Sequence, residues 1–378
     1  MFGRRVRIFK LFDFQVHVDA SWVFIFLLVT WSLARGYFPA RYLFLSPAEH
    51  WAMGISGALG LFFSIVFHEL SHSLVARRFG LPIKGITLFV FGGVAEMEEE
   101  PSSARAEFWM AVAGPSASIV LGFVFFALYA LSARLAPGSA VTGVLQYLGW
   151  INWILAVFNL VPAFPLDGGR ILRSALWQWK KDLRWATRIS SRAGAAFGFA
   201  LSLAGIFFFF TGAFIAGLWY FLIGMFLQNA AHASYQRLIV LRALEGESVR
   251  HFMKPDPVTV PDTISIASLV EEYIYKYHFK FFPVVRDTKL IGCISTQEVK
   301  QFSKDQWPSR RVSEALKPCD AQNAIGPGEE AVRALAIMNK AHKSRMMVVE
   351  KGRLLGMITL KDLLKFISLK LDLEGEGA

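Results

Sequence analysis

Residues 51–67 read WAMGISGALGLFFSIVF, without one Asp, Glu, Lys or Arg, and run directly into His68-Glu69-Leu70-Ser71-His72. The apolar part suits a membrane span, because about 20 residues cross a hydrocarbon core of about 30 Å. The polar part is unusual there. An ionisable side chain at the centre of a span costs roughly 3 kcal/mol and is normally retained for a task. Residues four apart on an α-helix are separated by about 400° of rotation, so His68 and His72 leave one face. Glu69 follows the first imidazole and reaches a water held between them and a cation. This is the H-E-x-x-H pattern of two zinc ligands with a general base. The plainer alternative is a pair of buried, hydrogen-bonded histidines without metal, and Glu69 at the edge of lipid speaks against it. The 17 steps from Trp51 to His68 span roughly 25 Å at 1.5 Å per residue, which places the motif just inside one edge of the core.

The rest of the chain supports a membrane setting. Of 378 residues, 54% are hydrophobic and only 18% charged, against about a quarter charged in ordinary soluble proteins. Disorder, a collagen-like repeat and a disulfide scaffold are excluded. Cys293 and Cys319 both lie late in the chain, too far on to staple the apolar part or build a Cys-rich zinc site. Residues 20–34, 108–133, 135–166 and 193–231 also lack Asp, Glu, Lys and Arg, the last block being long enough for two spans turning near Thr211-Gly212. Six transmembrane helices are predicted, at about residues 18–38, 51–76, 106–134, 141–163, 190–211 and 214–236. Residues 1–10 lead into the first without a small-residue cleavage site, so no cleavable signal peptide is expected.

The positive-inside rule sets the orientation. Arg4, Arg5, Arg7 and Lys10 precede the first span. Arg77, Arg78, Lys84 and Arg105 lie between the second and third, and Arg170, Arg173, Lys180, Lys181, Arg184, Arg188 and Arg192 between the fourth and fifth. The opposite loops hold little beyond Arg35, Arg41 and Arg134. Both termini are therefore predicted cytosolic, in a multi-pass protein of the cell membrane. Much of the net charge of +11 is topology signal, and no nucleic-acid partner is expected.

A catalytic zinc uses three protein ligands and a water, one more than two histidines supply. Asp167 is the candidate, in Asn159-Leu160-Val161-Pro162-Ala163-Phe164-Pro165-Leu166-Asp167-Gly168-Gly169-Arg170. The second and fourth spans run in the same direction, so both motifs finish at one membrane face. Pro162 and Pro165 break the helix, and Gly168-Gly169 can complete a tight turn.

These residues resemble the site-2 protease family of intramembrane zinc peptidases over about residues 1–240. The resemblance rests on His68-Glu69-Leu70-Ser71-His72, on the N-x-x-P-x-x-P-L-D-G-G run from Asn159 to Gly169, on Ala113-Gly114-Pro115 opening the third helix, and on Phe91-Gly92-Gly93, similar to the glycine pair of the family's membrane-embedded β-hairpin. It implies that His68, His72 and Asp167 hold one zinc ion, that Glu69 activates water, and that Asn159 helps stabilise the oxyanion. It further implies cleavage of a transmembrane or membrane-associated regulatory protein. Ser118 stands where many members carry Asn, a departure expected to alter only a local helix contact. A helical substrate must unwind before it is cut, and residues 83–94, with Gly92 and Gly93, offer a strand edge to hold it. A simple cytosolic hairpin is the alternative for that stretch. The run Glu98-Glu99-Glu100 reads as a solvated loop.

Beyond Arg242 the composition becomes that of a soluble domain, with an internal repeat offset by 63 to 64 residues. Val249 and Lys254-Pro255 align with Val312 and Lys317-Pro318, Val284-Val285 with Val348-Val349, Gly292 with Gly356, Ser295 with Thr359, and Glu298 with Asp362. Each copy reads as strand, helix, two short strands joined by a turn, then helix. The pattern resembles a tandem pair of CBS domains, at residues 247–306 and 310–371. The resemblance implies an adenine nucleotide between the copies, with Thr359 and Asp362 matching a ribose-contacting pair and Ser295 and Glu298 a weaker counterpart. The same residues also form helix-capping signals. A CBS pair also associates with a second pair in many proteins, so a homodimer is expected.

The fold expected is thus a polytopic α-helical membrane protein with a small membrane-associated β-hairpin, followed by a cytosolic α/β tandem CBS module. The function expected is zinc-dependent cleavage of a membrane-anchored protein, adjusted by the module. A CBS-gated transporter or channel would need polar groups spread along its spans, whereas here they gather at one depth. A catalytically inactive scaffold would have no need of an intact His68, Glu69, His72 and Asp167.

Overall fold

The computed structural model describes residues 5–11, 14–81, 83–89, 92–97, 101–286, 289–318, 320 and 323–374. Arg4, Phe91, Cys319 and the Glu98-Glu99-Glu100 run lie outside the described residues. The chain forms two compact units, residues 1–236 and 237–378.

The first unit is built on six helices long and apolar enough to cross a membrane. They are α1 (Ala20–Ser32, prolonged by a π-turn over Leu33–Tyr37), α2 (Pro47–Arg78), α3 (Ala104–Leu135), α4 (Ala140–Asn159), α6 (Leu183–Phe210) and α7 (Phe214–Leu244). A shorter helix, α5 (Asp167–Lys180), lies between α4 and α6. Phe24, Phe63, Phe123, Val157 and Phe207 are exposed on these helices, a surface that lipid solvates and water does not. Starts are well defined. Ser46 and Glu49 form a capping box before α2 with Pro47 in its first turn, and Ser103 caps α3 through Ala106 N.

Four expectations change. Ala113-Gly114-Pro115 does not open the third helix, which begins at Ala104, so Gly114 and Pro115 lie inside α3. The fifth predicted span lies within a longer helix, α6, which begins at Leu183 and carries Arg184, Arg188 and Arg192, and the sixth within α7, which runs on to Leu244. The basic N-terminal segment is not a plain flank. It forms β1 (Arg5–Leu11), followed by β2 (Phe14–Asp19), whose Asp19 carboxylate caps α1 through Ser21 N at 3.0 Å. Finally, the hairpin of β3 (Ile83–Phe89) and β4 (Gly92–Met97) is half of a larger sheet in the order β1-β2-β3-β4. β2 runs parallel to β3, pairing Gln15 with Gly85 and Val18 with Leu88. β4 is thereby left as an edge strand.

The second unit contains two copies of one module. The hairpins β7 (Phe281–Arg286) with β8 (Lys289–Ser295), and β10 (Arg345–Glu350) with β11 (Arg353–Thr359), have matching registers, Val284 opposite Gly292 and Val348 opposite Gly356, each with an irregularity at the next residue. Their cores match as well: Phe282, Val284 and Ile294 in one copy, Met346, Val348 and Ile358 in the other. The copies share one sheet through β8 and β11.

Candidate metal centre

Helix α2 brings His68 and His72 to one face, with ring centroids 4.8 Å apart. The chain leaves α4 at Asn159, turns through Pro162 and Pro165, and re-enters helix at Asp167, the first residue of α5. Asp167 Oδ2 lies 3.0 Å from His68 Nε2 and 3.1 Å from His72 Nε2. All three residues are buried, and their ligand atoms lie within 4.8 Å of one another. Helix α3 supplies the other side. His72 Nδ1 is 2.6 Å from the Met110 carbonyl, which can only accept, so Nδ1 donates there and Nε2 is the nitrogen turned toward Asp167. His68 Nδ1 is 2.9 Å from Ser118 Oγ, and its Nε2 likewise faces Asp167. Ser118 therefore makes more than a local helix contact: it bonds a candidate ligand, in the manner of outer-shell partners of metal-bound histidines.

The residues fit a zinc ion. Two imidazole nitrogens and a carboxylate oxygen are a zinc donor set, and tetrahedral bonds of about 2.0–2.1 Å hold ligand atoms about 3.3 Å apart, close to the 3.0 and 3.1 Å observed. The space in front of the nitrogens exists because residue 114 is glycine. A Cβ there would stand 2.5 Å from His68 Nε2 and closer still to His72 Nε2.

Glu69 lies between the histidines on α2, against β4. A Cβ on Gly93 would stand 2.6 Å from Glu69 Cγ, so only glycine lets the edge strand approach this side chain so closely. Gly92 pairs with Phe89 at the start of that strand. Asn159 is half-buried at the end of α4, where its amide donates to Leu155 O at 2.9 Å. The buried ion pair of Glu107 with Arg173 was not anticipated from the sequence, although a carboxylate at residue 107 beside an apolar block was a signal.

In the second unit Ser295 accepts from Gln297 N and Glu298 from Ser295 N, a capping box. Thr359 likewise accepts from Asp362 N. Each carboxylate also meets a lysine from the other copy's sequence: Lys317 reaches Glu298 at 2.6 Å and Lys254 reaches Asp362 at 2.8 Å. Burial opposes charge on Glu298, yet the bonds from Lys317 and Ser295 hold its carboxyl below the usual range. For Asp362 burial is likewise outweighed, by Lys254 and Thr359.

A buried H-E-x-x-H with an aspartate as the third candidate ligand, set among membrane-length helices, defines the class of membrane-embedded metallopeptidases. The model for peptidase family M50 matches residues 56–134 and 130–201, and the CBS-domain model matches residues 249–305 and 324–369. A candidate zinc metalloprotease of Synechocystis is 32% identical over 96% of this chain and 95% of its own length. The candidate zinc metalloprotease Rip3 of Mycobacterium tuberculosis is 30% identical over 95% of this chain and 91% of its own. A zinc metalloprotease of Methanocaldococcus jannaschii is 28% identical over 96% of both chains. The chain belongs to peptidase family M50, the site-2 protease family, and carries a CBS pair.

Proposed function

We propose that this chain is an intramembrane endopeptidase that hydrolyses a peptide bond in or near a transmembrane segment of a membrane-bound regulatory protein. His68, His72 and Asp167 hold the zinc ion. When bound, zinc supplies a water acidified to a pKa of about 7 and polarises the scissile carbonyl. Glu69 takes the proton of the attacking water and delivers it to the leaving amine. The Asn159 amide stabilises the oxyanion, exchanging its bond to Leu155 O for one to substrate. The unwound substrate adds as a strand to the free edge of β4, where Gly92 and Gly93 keep it close to Glu69. In this reading this end of the bundle, both termini and the CBS pair face the cytosol, which the basic loops support through the positive-inside rule. An adenine nucleotide held by Thr359 and Asp362, and at a second site by Ser295 and Glu298, adjusts the rate, and the module associates with that of a second copy.

The observation that carries the reading is the convergence of three buried ligand atoms from α2 and α5 beside Glu69. The test is metal analysis of the purified protein and of Asp167→Ala, followed by incubation with single-span membrane proteins. Glu69→Gln is expected to keep its zinc and lose cleavage. A Glu69→Gln protein that cleaves as fast as the parent would remove Glu69 from its role.

A further inference from the structure

Helix α3 touches two of the three ligands directly, through Met110 O and Ser118 Oγ. Asp167 has no such bond among those described, and its position must be set by the helix it begins. Glu107 supplies the link. Gly114 lies seven residues beyond Glu107, about 20° short of two turns, and Ser118 lies eleven beyond, about 20° past three. Glu107 therefore stands on the stripe of α3 that faces the imidazoles, and Glu107, Gly114 and Ser118 are all buried.

Its partner is Arg173, on α5. Arg173 Nε donates to Glu107 Oε1 at 2.7 Å, and Nη2 reaches the same oxygen. Glu107 is 1% exposed and Arg173 3%. The Arg173 guanidinium also lies 4.9 Å from the centre of the Phe164 ring, in the turn before Asp167. Arg170 Nε stands 3.9 Å from the same carboxylate oxygen. One guanidinium thus ties together α3, the turn before Asp167 and the helix after it. A buried ion pair is a poor device for stability, since well-packed apolar residues often do as well or better. It is a good device for fixing a register, because guanidinium geometry is rigid and directional.

We propose that the Glu107–Arg173 ion pair is a positioning element for Asp167, setting the distance of its carboxylate from His68 and His72. With it, every ligand is aligned against one helix: His68 by Ser118, His72 by the Met110 carbonyl, and Asp167 through Arg173. The inference rests on Asp167 being a metal ligand.

The test is a cycle on the full chain in detergent, reading the zinc dissociation constant by competition with a chelator. Glu107→Gln is expected to weaken zinc binding 10- to 100-fold in the parent, the range for outer-shell partners. In an Asp167→Ala background it is expected to change the constant by less than about twofold, since the ligand it acts through is gone. Equal losses in both backgrounds, or no loss in the parent, overturn the proposal, because a merely structural ion pair would act alike with or without Asp167. If Glu107→Gln does not fold, Glu107→Met combined with Arg173→Met removes both charges together and carries the same expectation. Parent-like zinc binding by Asp167→Ala alone would refute the ligand assignment and this inference with it. Failure confined to the Glu107 arm leaves the ligand assignment standing.

Discussion

Replacing Gly114 with alanine tests the metal centre with a single methyl group. The new Cβ would stand 2.5 Å from His68 Nε2 and nearer to His72 Nε2, where non-bonded contact requires about 3.5 Å. Either α3 withdraws or the imidazoles retreat by about 1 Å or more. The imidazoles are bonded to this same helix through Ser118 and Met110, so retreat from α3 breaks those bonds as well. Zinc–ligand distances tolerate about 0.2 Å, so a shift of that size removes at least one histidine. The expected result is a loss of zinc affinity of at least about 100-fold, equivalent to about 2.7 kcal/mol. The folding penalty should stay in the range of about 1–3 kcal/mol for one extra methyl group in a packed core. Zinc competition and thermal unfolding on the same preparation separate the two effects. A Gly114→Ala protein with full zinc occupancy and parental affinity would refute the claim that this glycine makes room for the cation.

Ser118→Ala should weaken zinc about tenfold, the lower end for outer-shell partners, and chelator competition should show a smaller loss than for Asp167→Ala. Asn159→Ala should retain its zinc while kcat falls about 10²- to 10³-fold, as for other single oxyanion donors; a change only in KM would assign Asn159 to substrate binding instead. The carboxyls of Glu298 and Asp362 are held below their ordinary values of 4.5 and 3.8. Groups of that kind contribute stability above the unfolded pKa that is lost as pH falls through the lowered folded value. The CBS unit should therefore keep this contribution at neutral pH and lose it below about pH 4, in thermal unfolding of the full chain. Glu298→Gln combined with Asp362→Asn should flatten the acid limb.

The parts legible in the sequence were those that helical or turn geometry fixes locally. His68 and His72 share a face whatever surrounds them, and the Pro162, Pro165 and Gly168-Gly169 pattern marks a turn on its own. The pairing of Asp167 with the histidines needed only the direction of two spans. The repeat was legible because Gly292 and Gly356 recur in equivalent hairpins. What escaped depends on non-local packing. The parallel pairing of β2 with β3 joins residues about 70 positions apart, and the basic residues of β1 resemble an ordinary cytosolic flank. The support from α3 is equally hidden: Met110 contributes its backbone, Ser118 an ordinary hydroxyl, and Glu107 acts only through a helix that starts 60 residues later. The lysines opposite Glu298 and Asp362 come from the other copy, so neither repeat contains its own pair.

The hydrogen bond that His72 donates is accepted by the main-chain carbonyl of residue 110. No side-chain replacement at that position deletes it, so a comparably bulky apolar residue should leave the imidazole oriented. His68 has no such insurance, because its counterpart is the hydroxyl of Ser118. In an exhaustive substitution survey the two neighbours of this centre should diverge, position 110 accepting leucine or isoleucine and position 118 accepting little beyond small hydrogen-bonding residues.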